Sequence, residues 1–535
     1  MGVQPNLEKD AMKSPARRTF LKTTIAAGTA LALPAYGQAP AVITSERMRP
    51  QMPSGIQIGD VTGDRAIVWS RSDRPARLVV ERSFHPDFRD SVLVRGPLAL
   101  DTSDFTARVD LAGLPAGREV FVRAMFADVS SGRTLSEPVT GRFLTAPNAR
   151  RDLSFAWSGD TAGQGWGINK DWGGMKCYEA VRQARPDFFV HCGDTIYADG
   201  PIAPEVKLTD GTVWKNMVTE EVSKVAETLR EYRGRYAYNL MDENVRRMSA
   251  EVPQIWQWDD HEVVNNWSDS KDLSADRRYT EKNVPLLTAR ATRAFLEYAP
   301  MRPHGADESE RVYRQISYGP LLDVFVLDMR SYRGPNTYNR QDSAGPETAF
   351  LGATQLAWLK SALQRSKATW KVVSADMPIG LMVGDGKDAE GRDKFEAVAN
   401  GDGPAQGREL EFVDLLRSLK RNKVKNVVWI TADVHYCAAH YYDPAKAQFT
   451  DFDPFWEFVS GPIHAGGFGP NKLDNTFGPT EVFVKAPGKD NAPPTDGGQY
   501  FGLADIEAKT GALKVQLKDL TGATLFEKVL APKRG

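Results

Sequence analysis

Arg185-Pro-Asp-Phe-Phe-Val-His-Cys-Gly-Asp-Thr-Ile196, with Tyr197 directly after it, sets an apolar run against an abrupt polar stop. Phe188, Phe189 and Val190 read as a short buried strand, and Gly193-Asp194 ends it. A carboxylate just past the C-terminal end of a buried strand sits where open α/β sheets receive ligands. The glycine before it permits a tight turn and leaves room beside the carboxylate for something large. Three other segments share this build: Leu153–Asp160, Pro253–Glu262 and Val427–His435. Four strand ends carrying Asp and His predict a metal centre.

Outward from these strands the texture alternates. Helices are expected over Met175–Gln183, Met217–Tyr238, Leu286–Tyr298, Ala353–Gln364 and Arg408–Arg421. Strands alternating with helices argue for an α/β domain with a central sheet, here over 152–535. Lys387–Gly407, rich in Gly, Asp and charge, reads as a mobile loop that lids or walls the site. Beyond Phe455 the pattern returns to β. Ahead of the linker Pro147–Arg151, short alternating runs at Ile56–Trp69, Ala76–Glu81, Phe105–Leu111 and Val120–Phe126 predict a β-sandwich over 51–146. Its strand, Leu114-Pro-Ala-Gly117, strand succession has the texture of fibronectin type III modules.

A length of 535 residues suits two or three domains. The net charge of −1 gives no electrostatic case for nucleic acid or an anionic membrane as a main partner. Cys177, Cys192 and Cys437 are too widely spaced for a disulfide framework or a CxxC metal site, and plain thiols are expected. Ala16-Arg-Arg-Thr-Phe-Leu-Lys22 precedes the apolar stretch Thr23–Ala35 and the small residues near Ala39. That is the plan of a cleaved export signal over residues 1–39, too short for a stable membrane anchor. The paired arginines resemble a twin-arginine signal, with Ala16 where Ser or Thr is usual. Passage through the twin-arginine translocase to a periplasmic or secreted location is the expectation.

A centre with two metal ions needs one shared carboxylate, several private oxygen and nitrogen ligands, and an open edge for phosphate. Asp160, Asp194, Asp260, Asp433 and His435 supply such a set, with Asp194 as the bridge. Taken singly, Asp160 and Asp194 also suit helix N-caps. His464 suits a loop histidine, His191 a structural one, and the tryptophans of these strands core packing. Joint occurrence in order carries the argument.

The blocks Gly159-Asp160, Gly193-Asp194, Asp259-Asp-His-Glu262 and Ala432-Asp-Val-His435 resemble those of calcineurin-like metallophosphoesterases. In detail Gly193–Tyr197, Trp258–Trp267, Leu327–Arg333 and Thr431–His435 are similar to the alkaline phosphatase D (PhoD-like) family. Glu231–Tyr236, Gln355–Leu359 and Ala368–Lys371 support the match, which runs from about Gln51 to the C-terminus. The resemblance implies a four-layer α/β/β/α core behind the sandwich and a binuclear or trinuclear centre of Fe(III) with Ca(2+). It makes Asp160, Asp194, Asp260, Asp433 and His435 metal ligands and Tyr197 a phenolate on iron. Asn266 or Asn265 would add an amide oxygen for calcium. Members of the family carry a cysteine ligand in the first block. Gly159-Asp160-Thr161 stands there instead, which leaves zinc, manganese or magnesium open.

His261 is the candidate proton donor to the leaving oxygen, or a group that orients the phosphate. Arg330 is the candidate phosphate clamp, because guanidinium offers paired donors to two phosphate oxygens. The expected protein is an exported phosphatase acting on small-molecule or lipid phosphate monoesters, diesters or both, through in-line attack by a metal-held hydroxide. Its rivals are a phosphodiesterase or phospholipase D-like enzyme, and a non-catalytic surface-binding protein stabilised by metal.

Overall fold

Side chains alternate faces along a strand, and here that alternation divides every central strand between two cores. Leu153, Phe155 and Trp157 of strand Leu153–Ser158, with Phe188 and Val190 of strand Phe188–His191, join one apolar core. Val324, Val326, Val372, Val428 and Ile430, from three strands of a second sheet, meet them there. The intervening residues face outward onto helices. Ala156, Phe189 and Trp256 pack with α1 (Lys176–Ala184), α2 (Leu229–Asn239), α3 (Glu243–Glu251) and α4 (Val284–Tyr298). Phe325, Val373 and Trp429 pack with α5 (Ala353–Arg365) and α6 (Glu409–Arg421). Two mixed sheets thus share a core, and each carries helices on its other side.

The first sheet runs Thr524–Leu530, Leu513–Asp519, Tyr500–Ile506, Leu153–Ser158, Phe188–His191, Gln254–Trp256, Ile56–Gly59, Ala66–Arg71, Thr106–Leu111. The second runs Arg314–Ser317, Leu322–Val326, Trp370–Ser374, Val427–Thr431, Phe455–Val459, Cys437–Tyr442, Pro479–Lys485. Strands 153–158, 188–191 and 254–256 are mutually parallel, as are 322–326, 370–374, 427–431 and 455–459. The strand ends named from sequence therefore belong to parallel neighbours.

The computed structural model describes residues 46–47, 49–130, 132–305 and 308–533. The expected export segment, residues 1–39, lies outside the described residues. No helix among the described residues is long and apolar enough to cross a membrane. Residues 56–144 form a seven-stranded β-sandwich: three strands of the first sheet face an antiparallel sheet ordered Val92–Ala99, Ala76–Ser83, Glu119–Asp128, Val139–Leu144. The sandwich is continuous with the central sheet, since Gly59 pairs in parallel with Gln254. A Cβ at Gly59 would stand 2.1 Å from the Pro300 carbonyl oxygen, so only glycine permits this approach.

Two helical expectations shift. The helix expected from Met217 begins at Leu229, where Thr228 and Glu231 form a reciprocal capping box; upstream there is only the single turn Glu220–Val222. Glu243–Glu251 is helical without having been expected, capped by Asp242 on the amides of Asn244 and Val245. The segment Lys387–Gly407 is tied down rather than mobile. It enters through a hairpin of Gly384–Lys387 with Asp393–Phe395, residues 395–400 are buried, and Asp474 accepts from the amides of Asn400 and Gly401.

Candidate metal centre

The parallel strands deliver their polar ends to one edge and stitch them together through backbone. Thr161 N donates to Asp194 O (2.9 Å), and Ile463 N to Gly159 O (2.7 Å). Asp160, Asp194, Asp433 and His435 all occupy the left-handed region, with φ of 62°, 52°, 66° and 62°. Non-glycine residues pay about 1 kcal/mol or more each for that conformation, and such strain gathers at functional sites. Neither aspartate caps a helix; both lie in loops. Gly193, at φ +110°, stands where a Cβ would meet Asp259 Cβ at 2.5 Å, and so lets two strand ends close on one another.

Three overlapping donor groups result: Asp160, Asp194 and His435; Asp194, Asp260 and His261; Asp259, Asp260 and Asp433. Within each group the donor atoms lie within 4.8 Å of one another. Both oxygens of Asp160 are buried without a hydrogen-bond partner, as are Asp259 Oδ2 and Asp260 Oδ1. Buried polar atoms are otherwise satisfied almost everywhere in proteins. Burial, only partly offset by His261, pushes the carboxyls of Asp160 and Asp194 well above the usual range. A cation between them would reverse that logic, so the donor set fits metal ions.

The histidines are held for distinct tasks. His435 Nδ1 bonds the Gly466 carbonyl, which turns Nε2 towards Tyr197 Oη (2.8 Å) and Asp160 Oδ1 (3.6 Å). A backbone acceptor on one ring nitrogen is how ligating histidines are oriented. Burial keeps His435 neutral, down to about 4. His261 Nδ1 meets Asp199 Oδ1 at 2.6 Å, while its amide donates to Asp194 Oδ1 (3.1 Å). Burial opposes a charge on His261, but Asp199, Asp260 and Asp194 outweigh it and push its pKa well above the usual value. The Tyr197 ring lies against His261 with centroids 4.3 Å apart.

Arg330 departs from its expected place. Its side chain is wholly enclosed, with Nε on Asp259 Oδ1 (2.6 Å) and Asp376 Oδ2 (2.9 Å) and Nη1 on Glu396. Nε and Nη1 are thus committed to three carboxylates, while Nη2 has no hydrogen-bond partner and stands 3.9 Å from Asp433 Oδ1, so the paired donors expected for a phosphate clamp are reduced to that one nitrogen. Arg333 is buried as well, beside Glu396 and over the Phe350 ring. Asn266 donates its amide N–H to Asp260, while its side-chain Nδ2 turns to Asp385 Oδ1 (2.9 Å). Asn265 is exposed. His464 bonds the Gly167 carbonyl and Cys177 packs in a helix-facing core.

Sequence reasoning missed Asp199, Glu262, Asp376 and Glu396. Glu262 accepts from the amides of Asp194, Thr195 and Asp259 (3.1, 2.7 and 2.8 Å), fastening two strand ends. Asp376 carried a signal, since it follows the buried strand Trp370–Ser374 as Asp194 follows its own. Glu396 carried a weaker one, a single charge inside the apolar run Phe395-Glu-Ala-Val-Ala399.

A scaffold that gathers buried Asp and His side chains at one edge, three groups of which could hold a metal ion, belongs here to a metal-dependent phosphatase, a phosphoric ester hydrolase. Residues 155–517 match the family model described as PhoD-like phosphatase, and residues 37–147 match that family's N-terminal domain. The chain belongs to the PhoD-like phosphatase family. It is 26% identical over 449 residues to alkaline phosphatase D of Bacillus subtilis (strain 168), covering 79% of this chain and 71% of that protein. The solved structure of PhoD aligns with a TM-score of 0.65 at 21% identity, over 90% of this chain and 89% of that one. Purple acid phosphatase PPD1 from seeds of yellow lupin (Lupinus luteus) aligns at 0.54 with 14% identity, over 89% of this chain and 74% of that one.

Proposed function

We propose that the chain hydrolyses phosphate esters at a centre of two or three metal ions held by Asp160, Asp194, Tyr197, Asp260, Asp433 and His435, with Asn266 at its rim. The carboxylate of Asp160 carries this reading: wholly buried, both oxygens unpartnered, in a left-handed residue beside His435. A buried charge without a partner is costly, and a bound cation removes the penalty. Oxygen donors with imidazole suit zinc, manganese and magnesium as well as the Fe(III) and Ca(2+) pair of the resemblance.

Bound there, the ions would acidify a water and neutralise charge on the phosphoryl group. His261 is assigned the proton for the leaving oxygen. Asp199 takes Nδ1–H, so Nε2–H is the group left to donate. Tyr197, packed against the His261 ring, restricts its rotation. Arg330 becomes a positioning residue that holds Asp259 and Asp376. The substrates are small-molecule or lipid phosphate monoesters or diesters.

The same reading takes residues 152–535 as a four-layer α/β/β/α catalytic domain and 51–146 as a fibronectin III-like sandwich. Residues 1–39 serve as a twin-arginine segment for export to the periplasm or medium. Substituting Arg17 and Arg18 by Lys should retain the protein in the cytoplasm; unchanged export sinks that part. The decisive experiment measures metal content together with turnover of p-nitrophenyl phosphate and bis-p-nitrophenyl phosphate. Wild type should carry metal and turn over at least one ester. Asp194→Asn should lose both while melting cooperatively, and full turnover in that variant would overturn the assignment.

A further inference from the structure

At the opposite ends of the second-sheet strands, roughly 15 Å of strand away from Asp433, two recesses share a wall. One is a cavity of about 220 Å³ between those strands and the end of α6, lined by Trp370, Leu416, Leu419, Trp429, Phe455 and Trp456 among others. The other, of about 520 Å³, is lined by Arg150, Lys371, Lys423, Lys425, Lys509 and Lys533, and among the described residues no acidic side chain lines it. Val424, Lys425, Asn426 and Lys533 border both.

The two halves differ in chemistry. The smaller is aromatic and aliphatic, and the indole N–H of Trp429, which lines it, is buried without an acceptor. Its one acidic residue, Asp453, is paired with Lys425 at 2.6 Å. The larger gathers six cations in a chain whose net charge is −1; Thr369 and Asn422 add polar groups to its wall, while the hydroxyls of Ser366 and Thr510 are donated to Asp323 and Glu507. Lys371 is buried, its Nζ donating to the neutral carbonyl of Ala368 at 2.7 Å. Asp453 offsets Lys425 and Asp323 lies near Lys371, which leaves Lys423, Lys509 and Lys533 to raise the local potential and concentrate anions. An apolar recess of this size accepts a short run of hydrocarbon rather than a whole drug-sized ligand.

We propose that this bipartite recess binds an anionic amphiphile, a phosphate-type head on a single hydrocarbon tail, at a site separate from the metal centre. The head would lie among Lys423, Lys509 and Lys533, and the end of the tail against Leu416, Trp429 and Phe455. The site faces away from the catalytic edge, so occupancy does not compete with substrate for the same donors.

Dodecylphosphonate tests this, because its carbon–phosphorus bond resists a phosphatase. Binding to the full-length, metal-loaded protein is followed by titration calorimetry and tryptophan fluorescence, below the micellar concentration. Methylphosphonate supplies the head alone and dodecanol the tail alone. The expected result is saturable binding of dodecylphosphonate at least tenfold tighter than either control. The double variant Lys509→Glu with Lys533→Glu, and separately Leu416→Trp, should weaken it at least tenfold. Turnover of p-nitrophenyl phosphate should be unchanged in the lysine variant. Absence of binding, equal binding of either control, or undiminished binding by the lysine variant would overturn the proposal. The last result would place the probe elsewhere, including at the metal centre. Should Leu416→Trp melt early through overpacking, the exposed lysine pair still decides the question.

Discussion

Strands of both sheets end in acids, yet the two sets meet opposite surroundings. At the ends of the first sheet, Asp160 keeps both oxygens bare, and Asp194 meets the backbone amide of His261 and the Tyr197 hydroxyl. At the ends of the second sheet, Asp376 gives one oxygen, Oδ2, to Arg330 and keeps Oδ1 bare, and Arg330 also takes one oxygen of Asp259 from across the site and Glu396 from the adjoining loop. Asp433 stands between the two conditions, 3.9 Å from Arg330 Nη2 and close to Asp260. A carboxylate at a strand end therefore keeps both oxygens free only where no guanidinium reaches it; Asp259 and Asp376 each keep one. One half of the site offers donors and the other is an ion cluster that holds the donors' neighbours in place.

The largest effect should come from the bare side. Asp194→Asn removes the carboxylate common to two donor groups, and loss of about 4 kcal/mol of transition-state stabilisation would lower turnover roughly a thousandfold. Metal analysis and ester turnover on one preparation check it. On the neutralised side, Arg330→Met strands three buried carboxylates, which should cost about 3–5 kcal/mol of stability. A melting curve reads this directly. A raised KM with unchanged melting would instead restore Arg330 as a phosphate clamp and erase the contrast drawn above.

Asp199→Asn probes a residue that acts through His261. Loss of the partner on Nδ1 should lower kcat by about 10–100-fold with metal content and KM little changed. A fall confined to metal content would move His261 from proton donor to ligand. A smaller effect concerns His191, which burial keeps neutral down to about 3. The unfolded chain binds that proton near pH 6.5 and the native state does not. Stability from this group is thus complete above pH 6.5 and falls as pH drops towards 3, by roughly 2 kcal/mol at pH 5. Melting at pH 7.5 and 5.0 should differ less in His191→Gln than in wild type; an identical difference would show that His191 is protonated in the native state.

How much of this was legible in the sequence follows from the range of each signal. Apolar runs that stop at Asp or His are local, and they located the strand ends of Asp160, Asp194, Asp260 and His435. The Thr228–Glu231 capping box is equally local, and reading it would have moved the start of α2 to its observed place. What Arg330 touches was not legible, because Asp259, Asp376 and Glu396 reach it from 71, 46 and 66 residues away. The apolar run Phe395–Ala399 signals that Glu396 is buried, but not which cation will meet it. Partner choice across the fold is a tertiary property, and it decides whether a charged side chain binds substrate or braces its neighbours.

The parallel pairing of Gly59 with Gln254 has a consequence for dissection of the molecule. A fragment beginning at residue 152 would leave strand Gln254–Trp256 as an open edge and would free Asp60's partner Arg314, now 2.7 Å from it. Exposed edges invite pairing with other chains. Such a fragment is expected to self-associate, and the intact chain to unfold as one cooperative block. The sandwich is in this sense the missing border of the catalytic sheet, and trimming it to obtain a smaller enzyme would remove the sheet's own protection against aggregation.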